Sequence, residues 1–220
     1  MQSVDCRTTT NNEICYIEIG RHPLECKIKS LQHKFWTNIL NYTNENPDSA
    51  ITKVLSQAET CNLPYLNYYK ELIHDFSNPK FCEMSLEANY RQKWKESINL
   101  AAANDPDSKL GTYNRINPDL KPYSAPKGML EGERKLLTRF RTGSHSLAVE
   151  LGRFTNVPRP NRLCKCKVGV QTVWHIFNDC PLTYPIHRRR FNDLHDVFED
   201  HDIINLLPKI TSLLKINVGN

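Results

Sequence analysis

Apolar residues Leu24, Ile28, Leu31, Phe35 and Ile39 recur at steps of three and four, the spacing that lines one face of an α-helix. With Pro23 in the first turn, they predict a helix with a core-facing stripe. The polar run NYTNENPDS ends it, and Asp48 or Ser49 caps a second helix carrying Ile51, Val54, Leu55 and Ala58. A third opens at Pro64 and sets Leu66, Tyr69, Leu72, Ile73 and Phe76 on one side. Short antiparallel helices joined by short polar loops are the packing this pattern predicts. A fourth segment opens at Ser85, spaces Leu86, Tyr90, Trp94, Ile98 and Ala101, and fades into AAANDPDS.

The pattern then changes. From Asp105 to Gly128 there are four prolines and no sustained period, and LGTYNRI reads as a short strand or an extended tether. A loop of this length inside a compact domain is uncommon, so the segment is predicted to be a linker. Beyond it, Leu130, Leu136, Leu137 and Phe140 form one helical pattern that breaks at Gly143. Leu147, Ala148, Leu151 and Phe154 form a second, and the two predict a helical hairpin leading into PRPNRLCKC. Pro181 starts another helix with Ile186, Phe191, Leu194 and Phe198, and a last helix from Ile203 to Ile216 is kinked at Pro208. The fold class is therefore mainly α. A bundle-like helical part spans 13–103, a proline-rich linker 104–128, and a hairpin, a small knuckle (164–180) and trailing helices 129–220.

Composition supports this reading. In 220 residues, 39% are hydrophobic and 24% charged, and 13 prolines against 8 glycines favour interrupted helices over a large sheet. The chain is long enough to bury a core without disulfides. No run approaches 18 apolar residues, and MQSVDCRTTTNNE lacks the order of a signal peptide, so no membrane contact and an intracellular place, nucleus or cytoplasm, are expected.

Cysteine placement is uneven. Cys6, Cys15, Cys26, Cys61 and Cys82 are scattered, whereas Cys164, Cys166 and Cys180 crowd together with His175. A tetrahedral zinc ion needs four such donors, with one close pair gripping one side and a His and a Cys the other. Ordinary buried cysteines beside a core histidine are the plain alternative, and three cysteines within seventeen residues argue against it. Four protein donors leave no open position for water, so one structural Zn2+ is expected. The single residue between Cys164 and Cys166 is tighter than the usual gap of two to four.

Charge surrounds this cluster. Residues 131–190 carry a net +8, which leaves −3 for the rest of a chain whose total is +5. Such asymmetry points to a polyanion, RNA or DNA, or else to a solvated surface. Arg159, Arg162, Lys165, Lys167, Arg188, Arg189 and Arg190 are the candidate phosphate contacts, with Trp174 or Phe177 as stacking faces. Catalytic constellations are scarce. NPDLK (Asn117 to Lys121) resembles a fragment of a restriction-like nuclease site but lies in the linker, and EDHD (Glu199 to Asp202) reads as the start of a helix. No phosphate loop or nucleophile with a base stands out, so no catalytic residue, no small-molecule substrate and no enzyme activity are expected of this chain alone.

These motifs resemble a family. The stretch LLTRFRTGSHSLAVELGRFTNVPRPNRLCKCKVGVQTVWHIFNDCPL is similar to the region that follows the polymerase in non-LTR (LINE-type) retrotransposon reverse transcriptases. The likeness rests on Phe140, Arg141, Gly143, His145 and Leu147; on Glu150, Gly152, Arg153 and Phe154; and on Val157, Pro158, Arg159, Arg162 and Cys164. It continues through Cys166, His175, Cys180 and Pro181, and YIEIGRHPL looks like the ELGR-x-PL helix of the same proteins. The resemblance implies a thumb-like and zinc-binding region that holds template RNA or target DNA, with the reverse transcriptase core of a parent protein as partner. No FADD-like or YADD-like motif is present. A structural or protein-interaction module stapled by zinc is the alternative.

Overall fold

The computed structural model describes residues 10–125 and 128–214, so Cys6 and Ile216 lie outside the described residues. The chain is mainly helical. Among the described residues there is no strand, and the β-type pairing is an isolated antiparallel bridge between Leu163 and Val170. No described helix is long and apolar enough to cross a membrane.

Packing divides the chain into two units. One runs from His22 to Lys93; the other joins the residues up to Arg21 with those from Trp94 onward. The expected division in 104–128 is therefore not where packing separates the chain.

The His22–Lys93 unit holds α2 (Leu24–Glu45), α3 (Ala50–Thr60), α4 (Pro64–Asp75) and the first part of α5 (Pro79–Asn104). Ser49 caps α3 by accepting from the Thr52 amide at 3.2 Å, and Pro64 occupies the first turn of α4. The core is Trp36, Ala58 and Leu66, surrounded by Ile39, Leu55, Leu63, Tyr69 and Ile73. Trp36 and Tyr69 pack with ring centroids 4.5 Å apart and planes tilted by 33°.

The predicted face of α2 is wrong. Leu24, Ile28, Leu31 and Phe35 are 70, 45, 54 and 59% exposed, while Cys26, Ser30, His33 and Trp36 are buried. Two polar residues of the buried face find backbone partners: Ser30 donates to the Pro79 carbonyl at 2.9 Å, and His33 Nε2 meets that of Phe76 at 2.7 Å. Satisfied in this way, polar groups can be buried at little cost.

The second unit begins with α1 (Asn12–Ile19) and continues after Lys93 through the rest of α5, α6 (Lys109–Ile116), α7 (Glu131–Arg141) and α8 (Ala148–Phe154). It closes with α9 (Tyr184–His187), α10 (Leu194–Glu199) and α11 (Ile203–Leu214), the last carrying Pro208 within it. Here α6 replaces the expected strand or tether. Ser108 caps it, accepting from the Gly111 amide at 3.0 Å, and it buries Tyr113 and Ile116 and packs on α10. The single helix expected from Pro181 is broken into α9 and α10, with Arg188 at φ +52° where α9 stops.

Leu137, Phe140, Leu147, Ile176, Phe177, Leu194, Val197, Leu207 and Ile210 belong to one core. Beside it runs a buried polar network. Arg141 grips Glu18 in a fork, with Nε–Oε2 at 2.9 Å and Nη2–Oε1 at 3.0 Å, and the Tyr113 hydroxyl donates to Oε1 at 2.9 Å. Asn117 donates to that hydroxyl at 3.0 Å, and the Tyr123 ring lies 4.3 Å from the guanidinium. Burial disfavours the charged Arg141, but the Glu18 carboxylate outweighs it and holds the proton more firmly than usual. Together Glu18 and Arg141 tie α1 to α7.

Candidate metal centre

Cys164 follows the one-turn 3₁₀ helix Arg159–Asn161 and starts a tight loop. Its amide donates to the Gly169 carbonyl at 2.8 Å, its carbonyl accepts from the Lys167 amide at 2.8 Å, and the Gln171 amide returns to the Arg162 carbonyl at 2.9 Å. Cys166 sits inside this loop and accepts from the Val168 amide at 3.4 Å. Lys167 takes φ +62° to close the turn.

The other two donors come from a π-helical turn, His175–Asp179. In a π-turn the amide of residue i+5 bonds the carbonyl of residue i, and the Cys180 amide does so to His175 at 2.8 Å. A five-residue step that would drift round an α-helix is thereby brought into register. The Thr172 hydroxyl accepts from the His175 amide at 3.0 Å, and the buried Thr183 hydroxyl donates to the Ile176 carbonyl at 2.6 Å, which fixes both ends of the turn. Gly169 has a spatial role: a Cβ there would stand 3.2 Å from His175 Nδ1.

The four donor atoms lie within 4.8 Å of one another, a group that could hold a metal ion. Cys164 and Cys180 sulfurs are 3.8 Å apart, far beyond the ~2.0 Å of a disulfide. Around a tetrahedral ion with metal–sulfur bonds of about 2.3 Å, the sulfur–sulfur edge is about 3.8 Å. Cys166 Sγ and His175 Nε2, 3.2 Å apart, form the opposite edge and need only a small outward movement.

Electrostatics agree with the geometry. Burial pushes the Cys164 thiol up to about 12, so its thiolate requires a cation beside it. Burial lowers the His175 pKa and keeps the imidazole neutral, as a metal ligand must be. For Cys180 burial acts upward, yet the Thr183 and Leu182 amides outweigh it and the pKa falls. All four predicted ligands are brought together, and the short Cys164–Cys166 step is accommodated by the Lys167 turn.

The seven cationic candidates divide. Arg159 is bound to Asp107 and lies 3.8 Å from Asp105; Arg189 is bound to Asp200 and to Asp202, the latter at 2.7 Å. Arg162 donates to the carbonyls of Val157 at 2.8 Å and Val149 at 2.9 Å, passing so close to α8 that a Cβ on Gly152 would stand 2.5 Å from its Nε. Arg162 is tied into the fold, while Arg159 and Arg189, 44 and 43% exposed, carry surface ion pairs. Lys165, Lys167, Arg188 and Arg190 are exposed, although Lys165 also donates to the Leu213 carbonyl at 3.1 Å. Of the two stacking candidates, Phe177 is fully buried, and Trp174 carries the Arg115 guanidinium 5.2 Å from its ring centre. Sequence reasoning missed Thr172, Gln171 and Thr183. Gln171, whose Oε1 accepts from the Ala148 amide at 2.7 Å, links the cluster to the start of α8. Their only sequence signal is that they are polar residues close to the metal-site donors.

No family model matches this chain, and no curated protein or solved structure matches it either.

Proposed function

We propose that this chain binds nucleic acid through a region organised by one structural Zn2+, as part of a LINE-type reverse transcriptase, and that it has no catalytic activity alone. The observation that carries this reading is the four-donor cluster with Lys165, Lys167, Arg188 and Arg190 exposed on the limbs that leave it. Bound there, zinc would lock the loop and the π-turn to each other and leave no coordination position for water. The cations then stand on a rigid base and can neutralise phosphates.

Arg159, Arg162 and Arg189 are held by internal partners, which sharpens the test. Four phosphate contacts to a single strand give a slope of log K against log salt of about −3, whereas all seven cations would give about −5. Titration of labelled RNA and DNA at several salt concentrations reads the slope directly. Mass spectrometry of the purified chain beside Cys180→Ser reads the metal. Salt-insensitive binding, or equal metal in both proteins, overturns the proposal.

A second reading, a module that binds protein, is favoured by the exposed apolar residues Leu24, Ile28, Leu31 and Phe35 on α2. It predicts that an acidic or apolar protein displaces the chain where nucleic acid does not.

A further inference from the structure

We infer that Tyr184 is a base-stacking platform and that the nucleic acid bound at this site is an unpaired strand of RNA or DNA. The inference rests on the nucleic-acid reading above and names the form of the partner. Phe177 is buried and Trp174 only partly exposed, whereas Tyr184, four residues after Cys180, is 44% exposed.

Its position is rigid. The Tyr184 amide donates to the carbonyl of Cys180, a metal-site donor, at 3.0 Å, and the preceding Thr183 is fully buried and hydrogen-bonded to the carbonyls of Ile176 and Cys180. His187 packs against the ring at 86° with centroids 5.7 Å apart, and its own Nδ1 meets the Arg189 carbonyl at 2.8 Å. Arg190 places its guanidinium 5.9 Å from the ring centre. A tyrosine so anchored loses little freedom when a base lands on it, and the nearby cation serves both the ring and a phosphate.

The surroundings argue for a single strand over a duplex. Exposed apolar side chains flank the donors on both limbs: Leu163 (51%) and Val168 (71%) near Cys164 and Cys166, Leu182 (39%) and Tyr184 near Cys180. On the first limb Leu163 and Val168 bracket Lys165 and Lys167, and on the second Leu182 and Tyr184 precede Arg188 and Arg190. A duplex keeps its base faces inside its own stack and offers phosphates to the cations alone, so these apolar side chains would remain in water. An unpaired strand offers both phosphates and base faces, and it uses both kinds of residue.

The test measures affinity of the zinc-loaded full chain for 20-nucleotide single strands of RNA and of DNA and for the matching duplexes. Variants are Tyr184→Ala, Tyr184→Leu, Tyr184→Phe and Lys167→Ala, each checked for metal content and melting. Single strands should bind more tightly than duplexes. Tyr184→Ala and Tyr184→Leu should weaken single-strand binding by roughly 5- to 150-fold, from ~1–3 kcal/mol per stacked base, without changing the salt slope. Tyr184→Phe should bind like the parent. Lys167→Ala should instead reduce the salt slope by about 0.7. Should Tyr184→Ala lose its metal, the Phe variant, which keeps the ring, and the Leu variant, which keeps much of its apolar bulk, decide the matter. Equal binding of strand and duplex with normal affinity in Tyr184→Leu overturns this inference and leaves the nucleic-acid reading standing; no binding to any nucleic acid at low salt overturns both.

Discussion

The unit that contains the cysteine cluster and the unit from His22 to Lys93 are both helical, but different residues hold them. In the first, polar groups fix the junctions between elements: Glu18 with Arg141 across α1 and α7, Arg162 across α8, Gln171 at the start of α8, and the four Cys/His donors between loop and π-turn. In the second, polar junctions are fewer, Ser30 and His33 of α2 meeting the Pro79 and Phe76 carbonyls beside the Trp36, Ala58 and Leu66 cluster, while the longest apolar row on α2 faces water. Directional groups specify one arrangement, since each accepts few partners at defined distances. An apolar stripe specifies only that it is covered by something. The first unit is therefore the more densely specified, and the second leaves an apolar face of α2 exposed.

The largest effect expected is from denying the cluster the proposed metal. Chelation or Cys180→Ser leaves Cys164, Cys166 and His175 without the centre that joins them, and a structural zinc site contributes several kcal/mol to the fold it closes. Hydrogen exchange read peptide by peptide should rise over 162–184 and through the packed core of that unit, with α3 and α4 unchanged. Equal rises in both units would break the comparison.

Arg141→Leu comes next. It strands Glu18 as a buried charge with Tyr113 as its remaining neutral partner, and loss of one member of a buried pair typically costs about 3–5 kcal/mol. A destabilised protein that still holds one metal per chain is the expected outcome, since the pair and the cluster are separate anchors. Denaturant titration with metal analysis checks both statements.

Gly152→Ala is a smaller change. The added methyl would meet the Arg162 side chain, whose guanidinium is held by two carbonyls, so overpacking of about 1–3 kcal/mol is expected. Its salt slope for nucleic acid should match the parent's, because Arg162 is occupied within the fold. A lowered slope would return Arg162 to the phosphate contacts.

These cases show why some features are legible in sequence. The cluster could be read because three cysteines and a histidine crowd into one short segment, and the structure brings their donor atoms together into a group that could hold a metal ion; the five-residue step from His175 to Cys180 matches the π-turn. The helical class followed from the apolar period. The side of α2 that is buried could not be read, because Ser30 and His33 find their partners at Pro79 and Phe76, more than forty residues away. Helix α6 was hidden because eight residues make only two turns, with Leu110, Tyr113 and Ile116 as its apolar positions. The total of basic residues was visible, whereas the aspartates that occupy Arg159 and Arg189 lie eleven to fifty-four residues away.

The smallest effect on stability, and the sharpest test of the contrast, is expected from Leu31→Glu with Phe35→Glu. Both side chains are more than half exposed and lie one helical turn apart on α2, so neither contributes a filled core position. Surface changes of this kind usually alter stability by no more than about 0.5 kcal/mol. If these residues were covered by other parts of the same chain in solution, two buried carboxylates would unfold the unit outright. A melting curve that overlays the parent's, with reduced capture of a protein partner or reduced self-association at high concentration, is the outcome expected of an interaction face. A collapse in stability would instead restore the core-facing stripe that the three-and-four spacing suggests. The same pair should leave metal content and nucleic-acid affinity untouched, because those properties belong to the unit that the polar anchors hold.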